Sequence, residues 1–336
     1  MVKNRIFYYD LLRALAIIAV IMCHIDLFFG SYQDGIFKFI FHSMFHGTGL
    51  VGVPIFLMLT GALLLNRKYE IYSFLKRRLS RIMGPFIFWV ILIMLLGAFY
   101  FNWDNQRLFD FFAGNGSLTW YIWMLIGIYL FIPVINSFFR EYEFKGVEYF
   151  LGIWFITIIL KTIHLWPVFP EYELNTNFGL YYFTSFIGYP ILGYYLANKQ
   201  FNISNKKMVI IGVLIYIVSL AAYVYTDFYQ IDVGPLYQNI IHVLMPVGIF
   251  IAVKYMDKLN LFKTLQDNLA GKFITSLSVC SYGMYFNHLI LILYFAPFDY
   301  HTNKLMPLVL AFMVTLSWFI IYVMSKVPYL KKVSGA

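Results

Sequence analysis

Charged residues are scarce in this chain of 336 residues: they make up 12% of the sequence, whereas apolar residues make up 61%. A soluble domain of ordinary composition carries about twice that share of charge and fewer apolar residues. The chain is therefore neither a soluble globular enzyme nor a disordered protein. Cysteine is also rare. Cys23 and Cys280 both stand in apolar runs, which excludes a disulfide framework and a zinc site built on paired cysteines.

Long apolar runs dominate the sequence instead. A helix needs about 20 mostly apolar residues to cross the hydrocarbon core of a bilayer, so these runs predict an all-α, polytopic membrane protein with about ten transmembrane helices. The predicted spans are 6–28, 48–66, 83–101, 119–138, 147–165, 179–197, 208–226, 236–255, 273–295 and 305–326. No linker divides them, so we expect residues 1–336 to form a single membrane domain without a soluble extracytoplasmic domain.

The basic residues are distributed unequally between the two sets of loops. The net charge of +9 results from 25 Lys and Arg against 16 Asp and Glu. If the N-terminus is cytoplasmic, most of these cations fall on the cytoplasmic side, and the outer loops carry most of the acids. This asymmetry follows the positive-inside rule. We therefore expect a multi-pass protein of the cell membrane with both termini cytoplasmic, and no nucleic-acid partner is needed to explain the charge.

The first predicted span contains three ionisable side chains. Arg13 and His24 are eleven positions apart, close to three helical turns, so both project from one helix face, about 16 Å apart along the axis. Asp10, at i−3 from Arg13, can pair with its guanidinium. Charges at membrane depth usually face a polar cavity, and histidine suits general base catalysis. An interfacial ion pair and a histidine bonded to a neighbouring helix would explain these residues equally well.

A second group of charges precedes the third predicted span. Arg77, Arg78 and Arg81 stand beside Lys76, with apolar residues between them. Arg78 and Arg81 share one helix face, and guanidinium groups suit phosphate oxygens. The segment indicates either a site for a phosphate-rich cytoplasmic ligand or attachment to anionic lipid headgroups.

Five motifs, in this order, resemble the acyltransferase type 3 family of integral membrane acyltransferases. They are Asp10-x-x-Arg13 with His24; Gly52 to Leu64, which contains Thr60-Gly61; Arg78-x-x-Arg81 before Pro85; Trp120-Tyr121-Ile122-Trp123 with Tyr129 and Pro133; and Ser278-x-x-Ser281-Tyr282-Gly283 with His288. The overall pattern is most similar to the surface-polysaccharide O-acyltransferase branch, which consists of the membrane domain alone.

The resemblance implies an O-acyltransferase that moves an acyl group, most often acetyl, from cytoplasmic acyl-CoA to a glycan hydroxyl outside, in cell-envelope polysaccharide biosynthesis. It implies three sets of residues. The catalytic set is His24, Arg13 and Asp10, and the set that binds the acyl-CoA donor is Arg77, Arg78 and Arg81. The set that binds substrate is Trp120, Trp123, Ser281, Tyr282 and His288. Apart from the acyl-CoA donor, we expect no bound cofactor.

Several alternatives stay open at this stage. His24 either takes the proton from the attacking hydroxyl, while Arg13 holds the donor or stabilises the transition state, or carries the acyl group covalently. The acyl group is acetyl or succinyl, and the oligomeric state is open, a homo-oligomer included. A flippase for a glycan or lipid-linked sugar is the main alternative function, and a cytoplasmic-face N-acyltransferase is another. His42 and His46 stand at i, i+4 without an accompanying HExxH, so we expect no metal site.

Overall fold

The computed structural model describes residues 5–29, 35–115, 119–163, 183, 185–234, 236–295 and 306–336. All regular secondary structure in these residues is helical, without a strand, which confirms the all-α prediction. The helices are α1 (Phe7–Phe29), α2 (Ile36–Gly49), α3 (Gly52–Leu64), α4 (Ile71–Phe99), α5 (Asn105–Ala113), α6 (Trp120–Ile163), the 3₁₀ turn Ser185–Ile187, α7 (Gly188–Asn198), α8 (Asn205–Phe228), α9 (Ile240–Lys258), α10 (Lys263–Asp267), α11 (Leu269–Phe295), α12 (Met306–Lys326) and α13 (Pro328–Ser334).

Eight segments of the described chain are long and apolar enough to cross a membrane. One of them, Trp120–Thr162, has 43 residues and is broken at Glu143, whose φ of 50° and ψ of −138° are not helical. The predicted spans 119–138 and 147–165 fall on the two sides of this break. Of the predicted span 179–197, residues 179–182 and 184 lie outside the described residues, and 188–197 form most of α7. The count of ten spans and the cytoplasmic termini therefore stay predictions.

Helix α4 contains both the basic residues Lys76, Arg77, Arg78 and Arg81 and the third predicted span, without interruption. It begins at Ile71, well before the predicted start at 83, because the carboxylate of Glu70 accepts two backbone N–H groups of its first turn. Pro85 lies inside the helix and has no amide hydrogen for the carbonyl of the preceding turn. Next to this gap, the Tyr282 hydroxyl of α11 donates to the carbonyl of Ile82 at 2.9 Å. The bond fixes α11 against the basic part of α4.

Helix α1 lies at the centre of the bundle, where it contacts α2, α3, α9, α11 and α12. Of its most apolar window, 61% is buried inside the protein, compared with 22% for α8 and for α12. The exposed faces of α8 and α12 are apolar, as expected for helices that face lipid. Polar side chains on α1 and α11 are therefore enclosed by protein rather than by lipid.

Two glycines of the sequence motifs mark close helix crossings. A Cβ at Gly61 of α3 would lie 1.7 Å from the carbonyl oxygen of Pro190 in α7. A Cβ at Gly283 of α11 would lie 2.1 Å from the carbonyl oxygen of Ser334 in α13. Only glycine permits such approaches, which are typical of membrane helices. Residues of α3, α11 and α13 line one cavity near these crossings.

Candidate functional site

A cavity of about 970 Å³, which we call the large cavity, lies between α1, α3, α4, α6 and α11. One end of the cavity lies near the first residues of α1 and α4 and the last residues of α3. We call it the basic end. The cations in its wall there are Arg5, Arg67, Arg78, Arg81, Lys331 and Lys332. The opposite end, which we call the deep end, is lined by aromatic rings, including Phe56, Tyr121 and Tyr285.

Arg13 lies in the wall of the large cavity between its two ends. Its side chain is partly buried, and no hydrogen bond joins it to another described residue. The ionisable groups that act on it electrostatically are Asp10, Arg5, Arg81 and Tyr129. A partly buried guanidinium without a bonded partner in the described chain is available to a ligand in the cavity.

Asp10 bonds to Arg5 and Ser278, not to Arg13, and this corrects the predicted pairing. Arg5 Nε and a terminal guanidinium nitrogen donate to the two carboxylate oxygens at 2.5 and 3.0 Å, and Ser278 Oγ donates at 2.6 Å. Arg5 precedes the first turn of α1, where its fork can meet the carboxylate in a bidentate pair. Asp10 is buried, and it joins α1 to α11 beside the cavity.

The structure brings His24 and His288 together, with ring centroids 5.1 Å apart. Nδ1 of His24 lies 2.7 Å from the carbonyl of Val20, and Nδ1 of His288 lies 2.9 Å from the carbonyl of Met284. Because a carbonyl can only accept, each Nδ1 carries a proton, and the neutral rings keep a lone pair on Nε2. His288 is fully buried, whereas His24 is partly exposed. Of the two rings, His24 is the less enclosed.

The histidine pair lies just beyond the deep end and is not part of the cavity wall. Tyr121 and Tyr285 line this end with ring centroids 5.2 Å apart, and the ring of Tyr285 is 6.1 Å from that of His288. One layer of tyrosine rings thus separates the cavity from the histidines. The predicted residues that do line the large cavity are Asp10, Arg13, Arg78, Arg81, Ser281 and Tyr282.

Trp120 and Trp123 do not line the large cavity. The indole nitrogen of Trp123 donates to the carbonyl of Phe112 in α5 at 2.8 Å. The ring of Trp120 stacks on Tyr237, with centroids 6.1 Å apart and planes 24° apart. Both tryptophans join the start of α6 to neighbouring segments, and their predicted contact with substrate stays a prediction.

A second, smaller cavity of about 400 Å³ adjoins the basic end, and we call it the small chamber. Its wall consists of Arg67, Lys68, Tyr69, Phe74, Arg77, Arg78 and Arg81. Arg67, Arg78 and Arg81 line both cavities, so the two spaces meet at these three guanidinium groups. Within the described part of the chain, no acidic side chain lines the small chamber. Such a wall suits a ligand with several negative charges.

Arg67, Lys331 and Lys332 are cavity residues that the sequence reasoning missed. Arg67 is held in place through its backbone: the side-chain amide of Asn136 donates to its carbonyl at 2.5 Å and accepts from its N–H at 3.3 Å. The two lysines reach the cavity because α13 packs against α4 and Gly283. For Arg67, the adjacent basic residue Lys68 is the only feature of the sequence that could have indicated a role in the site. The return of α13 to the cavity is a tertiary contact without a local motif.

Comparison with protein families gives a match over nearly the whole chain. A family model described as "Acyltransferase domain", that of the acyltransferase type 3 family, matches residues 6–325, nearly the whole chain. The match includes every residue of the large cavity except Arg5 and those of α13 and the residues after it. The comparisons with curated proteins and with solved structures found no match.

Proposed function

The chain belongs to the acyltransferase type 3 family and is a membrane acyltransferase, and we propose that it transfers an acyl group from acyl-CoA on the cytoplasmic side to a glycan hydroxyl on the outer side. One observation carries the proposal: a single cavity holds guanidinium groups at one end and stops beside a histidine pair at the other. Acetyl is the simplest acyl group for this role, and the glycan is a component of the cell envelope.

The basic end suits the nucleotide part of the donor. Coenzyme A carries a diphosphate between its nucleotide and its pantetheine arm, and Arg78 and Arg81 offer forked donors to phosphate oxygens. Asp10 does not repel this anion strongly, because Arg5 neutralises it. The cavity volume lies at the upper end of the range of about 300–1,000 Å³ that is common for ligand pockets. The pantetheine arm would then extend along the cavity past Arg13.

Arg13 is better placed to bind the donor than to stabilise the transition state. It stands eleven positions before His24 in α1, a distance of about 16 Å along the helix axis. A group that stabilises the oxyanion must lie within about 3 Å of the reacting oxygen, so Arg13 and His24 cannot act on one carbonyl. Arg13 therefore holds the pantetheine arm, and Asp10 positions α1 through Arg5 and Ser278.

His24 acts as the general base in this proposal. Its Nε2 takes the proton of the sugar hydroxyl while the hydroxyl oxygen forms a bond to the thioester carbon, since a free hydroxyl is too weak an acid to ionise unaided. The carbon–sulfur bond then breaks, and the imidazolium returns the proton to the leaving thiolate. The ring of His288, 5.1 Å away, packs against His24 and restricts its orientation. For the thioester to reach His24, the rings of Tyr121 and Tyr285 must part.

Turnover of labelled acetyl-CoA by the purified protein tests the proposal. The wild type should release coenzyme A when a glycan acceptor is present, His24→Ala should release none, and Arg78→Ala should need more donor for the same rate. Lys76→Ala is the matched control for charge, because Lys76 stands in the same basic segment but lines neither cavity. Glycan movement across the membrane without release of coenzyme A would favour a flippase and overturn the proposal.

A further inference from the structure

The small chamber contains more positive charge than a diphosphate requires. Arg67, Arg78 and Arg81 at its boundary with the large cavity already suit a diphosphate. Lys68 and Arg77 line the small chamber and not the large cavity. The carboxylate of Glu70, beside the wall, acts electrostatically on Arg77, but its oxygens accept the backbone N–H groups of Tyr72 and Ser73. Among the residues that the structure describes, no acid lines the chamber itself. A second anionic group of the ligand would occupy this position.

Arg77 is oriented by its own helix and keeps donors for a ligand. Its Nε donates to the carbonyl of Ser73 at 3.0 Å, and a terminal nitrogen lies 3.4 Å from Ser73 Oγ. These bonds use only part of its five N–H groups. The guanidinium is thus pre-oriented, which lowers the entropic cost of binding an anion.

Tyr69 adds a neutral donor to the same chamber. Its ring stacks on Phe74 with centroids 4.5 Å apart, and its buried hydroxyl has no hydrogen-bond partner in the described chain. Burial raises the pKa of this hydroxyl, although Arg67 and Arg78 oppose the shift, so it stays protonated at neutral pH. A buried hydroxyl without a partner is costly. A phosphate or ribose oxygen in the chamber would satisfy it.

We propose that the small chamber binds the ribose 3′-phosphate of coenzyme A, through Arg77, Lys68 and Tyr69, and so selects coenzyme A over donors that lack this group. The inference rests on the proposed function, because it assumes an acyl-CoA donor whose diphosphate lies at Arg67, Arg78 and Arg81. The chamber then fixes the nucleotide, and the large cavity receives the pantetheine arm.

Two measurements on the purified full-length protein test this inference. The first compares turnover of acetyl-CoA with that of acetyl-3′-dephospho-CoA. The wild type should show a KM about ten- to a hundredfold lower for acetyl-CoA, the size expected for charge-assisted hydrogen bonds to one phosphate. Arg77→Gln should bring the ratio of the two KM values close to one by raising only the KM of acetyl-CoA. Lys76→Gln, the neighbouring cation outside both cavities, should keep the ratio.

The second measurement is direct binding of adenosine 3′,5′-bisphosphate compared with adenosine 5′-monophosphate, which needs no turnover. The bisphosphate should bind about tenfold or more tightly, and Arg77→Gln and Tyr69→Phe should each reduce this preference. Tyr69→Phe retains the ring that stacks on Phe74, so it tests the hydroxyl alone.

The outcomes separate this inference from the proposed function. Equal use of the two donors, together with equal binding of the two nucleotides, overturns the 3′-phosphate site and leaves the acyl-CoA reaction intact. Selective binding of the bisphosphate without any turnover of acetyl-CoA supports the chamber and overturns the proposed reaction. If both nucleotides bind equally weakly and Arg77→Gln lowers the amount of copurified anionic lipid, the chamber serves lipid headgroups, and the inference is overturned.

Discussion

His24 and His288 lie on α1 and α11, far apart in the sequence, yet their rings are 5.1 Å apart with planes tilted by 58°. Each ring is oriented by a hydrogen bond from Nδ1 to a carbonyl one turn earlier on its own helix. Two imidazolium ions at this distance would repel each other, so the pair holds at most one extra proton at a time. In the proposed reaction, His288 would therefore stay neutral while His24 holds the proton of the hydroxyl.

The two histidines should respond differently to substitution. We expect His24→Ala to lower the turnover number by about 10²–10⁴, the range for loss of a general base. His288→Asn should lower it less, because His288 is fully buried and packs against the base without reaching a substrate. Turnover of labelled acetyl-CoA, with expression level and gel filtration as controls for folding, measures both. If the His288→Asn protein is well folded but as inactive as His24→Ala, His24 is no longer singled out as the general base, and His288 would be the better candidate.

Substitution of Arg13 distinguishes donor binding from transition-state stabilisation. If Arg13 holds the pantetheine arm, Arg13→Gln should raise the KM for acetyl-CoA about tenfold and change the turnover number little. Arg13→Lys should recover only part of the affinity, because an ammonium lacks the guanidinium fork. Steady-state kinetics with varied donor give both constants. A large fall in the turnover number at an unchanged KM would instead place Arg13 in the reaction step.

The bond between Ser278 and Asp10 should contribute to stability more than to catalysis. Ser278→Ala removes the 2.6 Å bond from α11 to the buried carboxylate and should cost about 1–3 kcal/mol. The melting temperature of the protein in detergent should fall, and saturating donor should restore part of it, because ligand binding stabilises the folded state. An unchanged melting temperature would show that the bond does not hold α1 against α11.

Gly61 offers a test of the helix packing with a matched control. Gly61→Ala places a Cβ 1.7 Å from the carbonyl oxygen of Pro190, and backbone atoms cannot move aside easily. We expect the variant to lose folded protein and activity. Gly127→Ala makes the same chemical change on α6 at a position with no atom within 4 Å, so it should behave as the wild type. The yields of folded Gly61→Ala and Gly127→Ala protein in detergent are compared, and equal yields would contradict the close contact of α3 with α7.

The sequence predicted the helical architecture well because long apolar runs are a strong and local signal. The spacing of Arg13 and His24 predicted that both project from one face of α1. In the structure Arg13 lines the large cavity, and His24 packs against His288 of α11. The partner of Asp10 could not be predicted in this way. Arg5 lies before the helix, and whether its side chain turns back onto Asp10 depends on the surrounding fold.

The rest of the site depends on tertiary contacts that leave no local pattern. Arg67 stands in the cavity wall because an amide on a distant helix, Asn136, holds its backbone. Lys332 reaches the cavity because α13 folds back against α4. The ring of Tyr285 separates the cavity from His288, although its spacing in α11 resembles that of any buried aromatic residue. The sequence therefore predicted several of the charged side chains in the cavity wall and not the aromatic ring that separates the cavity from His288.

The most direct test of the central claim is acyl transfer between two compartments. The protein is reconstituted in sealed vesicles in one orientation, with labelled acetyl-CoA on the side of Arg78 and a glycan acceptor on the other side. We expect acetylated glycan in the acceptor compartment, coenzyme A in the donor compartment, and no product with His24→Ala. Transfer only when donor and acceptor share one compartment would contradict this claim.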